Sequence, residues 1–399
     1  MNAYIIDAVR TPIGKFNGTL GSVRPDDLAA LTIKQLVERN NAWLKPEDIE
    51  EVVLGAANQS GEDNRNVARM AALLAGLPIS VAGVTVNRLC ASGLQAIADA
   101  ARAIHCGDGD IYIAGGVESM TRAPYVLSKA TSGFDRAQQM YDTSIGWRFT
   151  NKAFPKDTTY AMGETAENVA RKWNISRLEQ DTFAYNSQLK YQQAAEANKF
   201  EDEIVPVTID KGKGEKLVFS KDEQPRLSTV DVLAKLNPAF VKENGTVTAG
   251  NSSGINDGAA ATIVVSEAVV KQYNLKPLAR VVAVAASGVE PAYMGIGPVA
   301  ATQKALQRAG LSIADIGLAE LNEAFASQSL ACMHDLGINP DIVNVNGGAI
   351  AIGHPLGCSG ARITATLLHE MKRRPEVRYG LATMCIGVGQ GLAVIYEKV

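Results

Sequence analysis

The sequence predicts an α/β protein made of two similar halves, with a polar segment inserted into the first. The main observation is an internal repeat: LAALTIKQLVERNNAWLKPEDIEEVVLG, from position 28, reads like VAATQKALQRAGLSIADIGLAELN, from position 299. Asp48 aligns with Asp315, and Ser92 aligns with Ser359 at the same offset of 267 residues (315 − 48 and 359 − 92). Two motifs that keep one register indicate a duplicated unit.

Each copy continues in the same order: a helix, a strand, a glycine-containing turn, a long apolar helix and a final apolar strand. The final strands are DIYIAGGVE near position 114 and GLATMCIGVGQG near position 384. Because strands alternate with helices, we expect mostly parallel sheets covered by helices.

The segment between the two copies has a different texture, with long polar connections, the charged run DKGKGEKLVFSKDEQPR and an amphipathic helix around ETAENVARKW. Long inserted loops of this kind often cover a substrate site. We therefore divide the chain into an N-terminal half over 1–120, completed by about 246–270, an inserted loop domain over 121–245, and a C-terminal half over 271–399.

Composition narrows the function classes. The chain has 399 residues, is 46% hydrophobic and carries a net charge of −3 from 39 basic and 42 acidic residues, which does not favour nucleic acid or an anionic membrane as partner. No apolar run reaches the length of a membrane span, and the N-terminus does not read as a signal peptide, so we expect a cytoplasmic protein. Five widely spaced cysteines argue against a disulfide framework or a zinc knuckle.

Cys90 lies between an apolar run and the first turn of the apolar helix LQAIADAARAIHCG, which we expect to end at Gly107. A cysteine at the N-terminal end of a helix faces unpaired N–H groups and the positive end of the helix dipole, which lowers the thiol pKa. This placement suits a nucleophile. The alternative is that Cys90 is a small core residue.

The second copy supplies three further candidates. His354 lies in the glycine-dense turn NGGAIAIGHPLGCSGAR, where Pro355 stiffens the backbone and the glycines permit close approach to a ligand. Cys385 ends an apolar strand at CIGVGQG, where several N–H groups could form an anion nest. Asn322 of NEAFA follows a strand and could hold a water or a carbonyl, or simply be a turn residue. If a pseudo-twofold axis relates the halves, Cys90, His354 and Cys385 share one crevice.

Two other motifs have weaker support. GNSSG, around Ser252, fits the G-x-S-x-G pattern of serine hydrolases, but the following INDGAAATIVVSE reads as a turn and a strand, not as a helix. The glycine spacing near the C-terminus does not match G-x-G-x-x-G, and no Gly-Lys-Ser/Thr follows a glycine-rich loop. Nucleotide hydrolysis and dinucleotide redox chemistry therefore lack support.

The whole chain resembles the thiolase family, through NRLCASG, TAGNSSGINDGAAA, NEAFA, NGGAIAIGHPLGCSGAR and CIGVGQG, with VRTPIGKF and MGIGP in matching order. The resemblance implies a five-layered α-β-α-β-α core of two duplicated halves with a loop domain, assembled as a dimer or tetramer. It also implies two-step acyl transfer. Cys90 would be the nucleophile, His354 would assist its deprotonation, and Cys385 would be the acid/base.

The resemblance further implies two oxyanion sites, one made of His354 and a water held by Asn322, the other of the main-chain N–H groups of Cys90 and Gly387. Neither step calls for a metal or redox cofactor, and coenzyme A is a substrate. Residues implied in binding its thioesters are Ser253, Met162 and Arg226 for coenzyme A, and Met294, Ala324 and Phe325 for the acyl group. Ala161 departs from the histidine of some short-chain members.

The acyl group remains open at the level of the sequence. GAANQSGEDNRNVARMAALLAGLP and TSIGWRF are most similar to 3-oxoadipyl-CoA thiolases, and Arg148 is then a candidate partner for the distal carboxylate, or else a solvated loop residue. IVNVNGGAIAIGHP and MKRR are equally similar to biosynthetic acetoacetyl-CoA thiolases. A thiolase-like lipid carrier without turnover is an alternative of another class, although it would lack part of the reactive set.

Overall fold

A computed structural model describes residues 2–399. The first part of the chain forms, in order, β1 (Ala3–Arg10), β2 (Gly14–Lys15), α1 (Pro25–Arg39), β3 (Glu51–Gly55), α2 (Val67–Leu74), β4 (Ala82–Val86), α3 (Ser92–Cys106) and β5 (Ile111–Ser119). The segment that follows forms β6 (Tyr125–Leu127), β7 (Met140–Asp142), α4 (Met162–Lys172), α5 (Arg177–Glu196), β8 (Val207–Gly212), β9 (Glu215–Phe219) and α6 (Val230–Ala234).

The remainder forms β10 (Asn256–Ser266), α7 (Glu267–Gln272), β11 (Ala279–Gly288), α8 (Gly297–Ala309), β12 (Ile316–Leu321), α9 (Ala326–Leu336), α10 (Ala349–Ile352), α11 (Leu356–Arg373), β13 (Tyr379–Ile386) and β14 (Gln390–Glu397). The predicted ETAENVARKW helix is α4, and the predicted end of α3 is confirmed by Gly107 in the left-handed conformation, with φ of 81°. Within residues 2–399, no helix combines the length and the apolar composition needed to cross a membrane.

The main sheet runs β12-β13-β14-β11-β1-β10-β5-β3-β4, and the two halves join at its centre through β1 and β11. Only β3–β4, β3–β5 and β12–β13 are parallel, whereas every other pair in this sheet is antiparallel. The expectation of mostly parallel sheets was therefore wrong. The reason is that β10 and β14 return antiparallel beside β5 and β13, and that β1 and β11 pair antiparallel with β10 and β14, respectively, and with each other. The strand β14 was also missed, because the sequence around Gly387 read as a strand end.

The duplication is visible in the strand pairing. β10 pairs antiparallel with β5 in the first half as β14 pairs with β13 in the second. In the second half, β13 and β14 are joined by the short turn 387–389. In the first half, residues 120–255 occupy the corresponding place between β5 and β10, so the insertion extends from that end of the sheet. Our domain boundaries stay a prediction.

Three hydrophobic cores define the layers. Helices α1 and α2 pack against one face of β3, β5 and β10. Helices α3 and α11 form a second core with the other face of those strands and with β13 and β14. Helices α8 and α9 cover the outer face of β12, β13 and β14. The order of layers is therefore α-β-α-β-α, as predicted.

The two central helices approach each other at glycines that the repeat relates. A Cβ built on Gly93 of α3 would lie 2.6 Å from the carbonyl oxygen of Gly357, and one on Gly360 of α11 would lie 2.2 Å from the main-chain nitrogen of Leu94. Only glycine permits this main-chain contact. The glycine pair therefore brings the N-terminal ends of α3 and α11, and the residues before them, to one place.

Candidate active site

Cys90 lies in the 3-10 turn Leu89–Ala91, immediately before α3. Two hydrogen bonds fix the turn: the hydroxyl of Ser92 donates to the carbonyl oxygen of Leu89 at 2.6 Å, and the N–H of Leu89 donates to Oδ1 of Asn87 at 2.9 Å. Leu89 itself has φ of 48°, a region that non-glycine residues rarely adopt. This backbone holds the half-buried Cys90 thiol in a defined position.

The predicted lowering of the Cys90 pKa was wrong. Burial raises the pKa of this thiol to about 11, although N–H groups of Gly387 and of Cys90 itself act in the opposite direction, and the negative charge of Glu118 raises it further. The N–H groups at the helix terminus therefore stabilise the thiolate less than the loss of water destabilises it. At neutral pH the thiol is therefore protonated before a ligand binds, so the nucleophile needs a base.

His354 follows α10 and precedes α11, and its main-chain N–H donates to Oδ1 of Asn256 at 2.9 Å. Its Nδ1 lies 2.6 Å from Oγ of Ser359. Since the Ser359 hydroxyl donates its own proton to the carbonyl oxygen of Pro355 at 2.8 Å, Oγ can only accept from Nδ1. With this assignment the proton of the neutral ring is on Nδ1, and Nε2, which Nδ2 of Asn322 faces at 3.4 Å, is the nitrogen that can accept a proton.

The protonation state of His354 follows from its surroundings. The residue is only 5% exposed, and burial, with the positive charge of Arg362, lowers its pKa to about 3. The ring is therefore neutral at physiological pH, so one of its nitrogens can accept a proton, and the same burial makes it a weaker base than a solvated imidazole.

Asn322 lies directly after β12 and faces the same ring. Its Nδ2 is 3.4 Å from Nε2 and 3.5 Å from Nδ1 of His354, and its main-chain N–H donates to the carbonyl oxygen of Thr383 at 3.0 Å. The Oδ1 atom is buried and has no hydrogen-bond partner within residues 2–399. A buried acceptor without a partner is suited to a water molecule or a ligand N–H or O–H group.

Cys385, near the end of β13, is 1% exposed and belongs to a small apolar cluster. The cluster contains four of the predicted ligand residues: Met162, Met294, Ala324 and Phe325. Burial raises the pKa of the Cys385 thiol well above its ordinary value, and the neighbouring Cys90 adds to the shift. The two sulfurs are therefore electrostatic neighbours.

The turn after Cys385 closes the other side of the site. Val388 and Gly389 have φ of 60° and 73°, so the turn has left-handed backbone at a β-branched residue. A Cβ on Gly387 would lie 3.0 Å from the Trp147 ring and 3.2 Å from a Leu89 methyl group. Gly387 is thus enclosed between the nucleophile turn and the inserted segment.

The predicted coenzyme A residues lie on the insertion side. Ser253 donates from both its N–H and its hydroxyl to the carbonyl oxygen of Ala324, at 3.1 Å each, which places it beside the Cys385 cluster. Arg226 is exposed and donates to the carbonyl oxygen of Ala249 at 2.5 Å. The neighbouring Ser252 donates its hydroxyl to Thr248 and precedes β10, so the strand–turn–helix of a nucleophile elbow is not formed here.

Arg148 is half-buried beside Trp147, and its Nη2 lies 3.4 Å from Oδ1 of Asn58. Across the part of the chain from residue 2 onward, no carboxylate lies within ion-pairing distance of this guanidinium. Arg148 thus contacts Asn58 in the segment after β3, and no carboxylate among residues 2–399 compensates its charge.

Sequence reasoning missed two buried acids. Glu118, at the end of β5, accepts the N–H groups of Ala57, Asn58 and Gly357, and burial raises its pKa to about 7. It therefore ties the start of α11 to the turn after β3. Glu323 accepts from Ser187, Asn344 and Ile350 and anchors the loop that carries Asn322. Its place in the quoted NEAFA motif was the available signal.

All five cysteines are free thiols, and no cluster of His, Cys, Asp and Glu side chains among residues 2–399 could hold a metal ion. The structure therefore groups Cys90 with Gly387 and Cys385, and it groups His354 with Asn322. The contact between Gly93 and Gly357 brings the helix ends next to Cys90 and His354 to one place, and the sharing of one catalytic site stays a prediction. Chemically, these groups offer two thiols, a neutral imidazole and, on Asn322, a buried acceptor that has no partner among residues 2–399.

Comparison with known proteins identifies the family. The model described as thiolase, N-terminal domain, matches residues 3–268, and the model described as thiolase, C-terminal domain, matches residues 275–398. The chain belongs to the thiolase family. It is accordingly an acyltransferase, and the resemblance drawn from the sequence motifs is confirmed.

Relatives match over their full length. The chain is 55% identical over 401 residues to a beta-ketoadipyl-CoA thiolase of Escherichia coli, covering 100% of this chain and 99% of the relative. It is 56% identical over 402 residues to a beta-ketoadipyl-CoA thiolase of Pseudomonas aeruginosa, with 99% of each covered. It is also 47% identical over 399 residues to an acetyl-CoA acetyltransferase of Allochromatium vinosum, covering 100% of this chain and 99% of the relative.

The solved structures agree with the fold. The crystal structure of the Bacillus anthracis acetyl-CoA acetyltransferase superposes with a TM-score of 0.93 at 42% identity, covering 100% of this thiolase and 99% of that chain. The crystal structure of human mitochondrial 3-ketoacyl-CoA thiolase superposes with a TM-score of 0.91 at 40% identity, with the same coverage of both chains. The predicted fold class is confirmed, whereas the role of each site residue stays a prediction.

Proposed function

We propose that this thiolase cleaves 3-oxoadipyl-CoA with coenzyme A, in the degradative direction, to give succinyl-CoA and acetyl-CoA. The observation that carries the proposal is Arg148, a half-buried cation that contacts Asn58 and has no carboxylate partner. A six-carbon dicarboxylic acyl group brings one carboxylate to the distal end of the pocket, where a guanidinium would pair with it. The similarity to the beta-ketoadipyl-CoA thiolases of Escherichia coli and Pseudomonas aeruginosa supports the same substrate.

In the proposed first step, Nε2 of His354 takes the proton of Cys90, and the thiolate attacks the C3 carbonyl of the substrate. The oxyanion is met by the N–H groups of Cys90 and Gly387. The C2–C3 bond then breaks, the succinyl group stays on sulfur, and the electron pair leaves on the acetyl-CoA enolate. Cys385 donates its proton to the enolate carbon.

In the proposed second step, the Cys385 thiolate takes the proton of the incoming coenzyme A thiol, which attacks the succinyl thioester. The tetrahedral oxyanion collapses, and Cys90 leaves as thiolate and recovers its proton from His354. A water on Oδ1 of Asn322 and the His354 ring would stabilise the enolate oxygen. No metal or redox cofactor takes part, because each bond change is a proton transfer or an acyl transfer.

The experiment is a thiolysis panel of 3-oxoadipyl-CoA, acetoacetyl-CoA and longer neutral 3-oxoacyl-CoAs. We expect the highest kcat/KM with 3-oxoadipyl-CoA. A charge-assisted hydrogen bond is worth about 1.5–3 kcal/mol, so Arg148→Met should lower kcat/KM for this substrate by roughly 10- to 150-fold and leave acetoacetyl-CoA nearly unchanged.

Arg136→Met removes an exposed arginine of the same inserted segment and serves as the control. A wild-type preference for acetoacetyl-CoA would favour the biosynthetic alternative that the Allochromatium relative represents. An equal fall in kcat/KM for both substrates in Arg148→Met would show that Arg148 does not determine the substrate preference.

We propose further that the chain forms a homodimer or homotetramer in the cytoplasm. Strand β4 is the last strand of its sheet edge, with Val84 exposed on it and Ile79 just before it 85% exposed. The β6–β7 hairpin carries exposed Tyr125, Phe134 and Met140. Exposed edges and apolar patches are typical of interfaces, and free thiols suit a reducing compartment. Light scattering on the purified chain tests this, since a monomer would contradict it.

A further inference from the structure

Asn58, directly after β3, is the group that contacts the Arg148 guanidinium. It is only 9% exposed, and every polar group of its side chain has a partner. Its Nδ2 donates to the hydroxyl oxygen of Thr143 at 3.0 Å, and its Oδ1 accepts from the N–H of Ser60 at 3.2 Å and faces Nη2 of Arg148 at 3.4 Å. A buried amide with all its groups engaged has one orientation.

Thr143 decides which way the amide points. Its hydroxyl donates to the carbonyl oxygen of Pro124 at 2.5 Å, so the hydroxyl oxygen can only accept from Asn58. The NH2 group of Asn58 is therefore on the Thr143 side, and the carbonyl oxygen is on the Arg148 side. A reversed amide would put two donors against the guanidinium.

Hydrogen bonds also connect the segment of Asn58 with the turn that carries the nucleophile. Its main-chain N–H donates to Glu118 at 3.0 Å. The carbonyl oxygen of the preceding residue, Ala57, accepts from Nδ2 of Asn87 at 2.9 Å, and Oδ1 of Asn87 accepts from the N–H of Leu89. Hydrogen bonds through Asn87 thus link the turn that carries Cys90 to the segment that carries Asn58.

The choice of a neutral amide has a chemical consequence. An amide oxygen orients the guanidinium with one hydrogen bond but leaves its positive charge available to a ligand. A carboxylate at the same place would form an ion pair with Arg148 and compete with the substrate for it. To bind a distal carboxylate, the guanidinium must be oriented while its charge stays unpaired.

We propose that Asn58 is a specificity-determining positioning residue, which aims the uncompensated Arg148 guanidinium at the distal carboxylate of a dicarboxylic 3-oxoacyl-CoA. This inference rests on the proposed function, in which Arg148 binds that carboxylate. Asn58 itself acts through Arg148 and does not take part in bond making or breaking.

The test is the ratio of kcat/KM for 3-oxoadipyl-CoA to kcat/KM for acetoacetyl-CoA, measured for wild type, Asn58→Asp, Arg148→Met and the double variant. We expect Asn58→Asp to lower the ratio by about tenfold or more, as an internal ion pair worth at least 1.4 kcal/mol would do, and to lower it no further in the Arg148→Met background. A general structural effect would instead lower kcat/KM equally for both substrates and leave the ratio unchanged.

Asn58→Asp places a new charge near Glu118, so a second variant guards against misfolding. Thr143→Val removes the nearer of the two acceptors of the Asn58 NH2 group, the hydroxyl at 3.0 Å, and leaves the carbonyl oxygen of residue 143 at 3.3 Å. It adds no charge, and it should lower the same ratio several-fold. An unchanged ratio in the folded Asn58 or Thr143 variant overturns the inference, as does an equal fall with or without Arg148. A wild-type enzyme without preference for 3-oxoadipyl-CoA would overturn the proposed function instead, which separates the two failures.

Discussion

The Ser359→Ala variant tests whether the hydrogen bond on Nδ1 makes His354 a base. In the structure, Oγ of Ser359 is the acceptor for Nδ1, at 2.6 Å, because its own proton is used by Pro355. Removing the hydroxyl leaves a buried N–H without an acceptor, or else allows the proton to move to Nε2. In either state the ring accepts the Cys90 proton less readily, while both reactive side chains remain in place.

The magnitude follows from the burial of the ring. A buried donor left without a partner costs about 1–3 kcal/mol, and each 1.4 kcal/mol changes a rate about tenfold. Since the Cys90 pKa is raised to about 11, acylation depends on proton transfer to His354. Ser359→Ala should therefore slow acetylation of Cys90 by acetyl-CoA roughly 5- to 150-fold, measured by rapid quench and mass spectrometry of the modified peptide.

Thr364→Val is the matched control. Thr364 lies on the same helix, its hydroxyl donates to the carbonyl oxygen of Gly360 at 2.9 Å, and it has no contact with His354. Loss of that buried hydroxyl should reduce stability but leave the acetylation rate unchanged. An acetylation rate of Ser359→Ala equal to wild type, or an equal loss in Thr364→Val, would refute the assignment of Nε2 as the base.

Three further predictions concern the same region. Cys90→Ser should abolish transfer and the acetyl mass on that peptide, whereas Cys385→Ala should keep acetylation and lose condensation; an acetyl group mapped to another residue would contradict both roles. Glu118 has a pKa of about 7 in the fold against 4.5 as its ordinary value, so the folded state loses stability as pH rises from about 4.5 through 7. The free energy of unfolding, measured in urea, should differ less between about pH 5 and about pH 8 in Glu118→Gln than in wild type. The same difference in both proteins would count against this burial effect. Gly360→Ala should lower the free energy of unfolding by about 3 kcal/mol or more, because the new Cβ would lie 2.2 Å from a main-chain atom. Gly133→Ala, whose Cβ would lie in open space, should lower it little. Equal unfolding midpoints for the two variants would show that α3 and α11 can move apart.

Much of the candidate site was predictable because its residues occur in local patterns. Cys90 before an apolar helix, His354 in a glycine-dense turn and Asn322 after a strand are all visible without coordinates. The repeat offset then predicts that they share one crevice, since two related halves bring equivalent helix ends together. Glu118 was missed because its partners, Ala57 and Gly357, are distant in sequence, so nothing local marks it as a buried acceptor.

By itself the sequence determined the duplicated α/β architecture, the family and the set of reactive side chains, because hydrophobic periodicity, glycine placement and motif order are local properties of the chain. Only the tertiary structure decided the antiparallel strand directions, the raised pKa of Cys90, the tautomer of His354 and the unpaired charge of Arg148. These depend on how much water is excluded and on which distant groups arrive as neighbours, and both are fixed only when the layers pack.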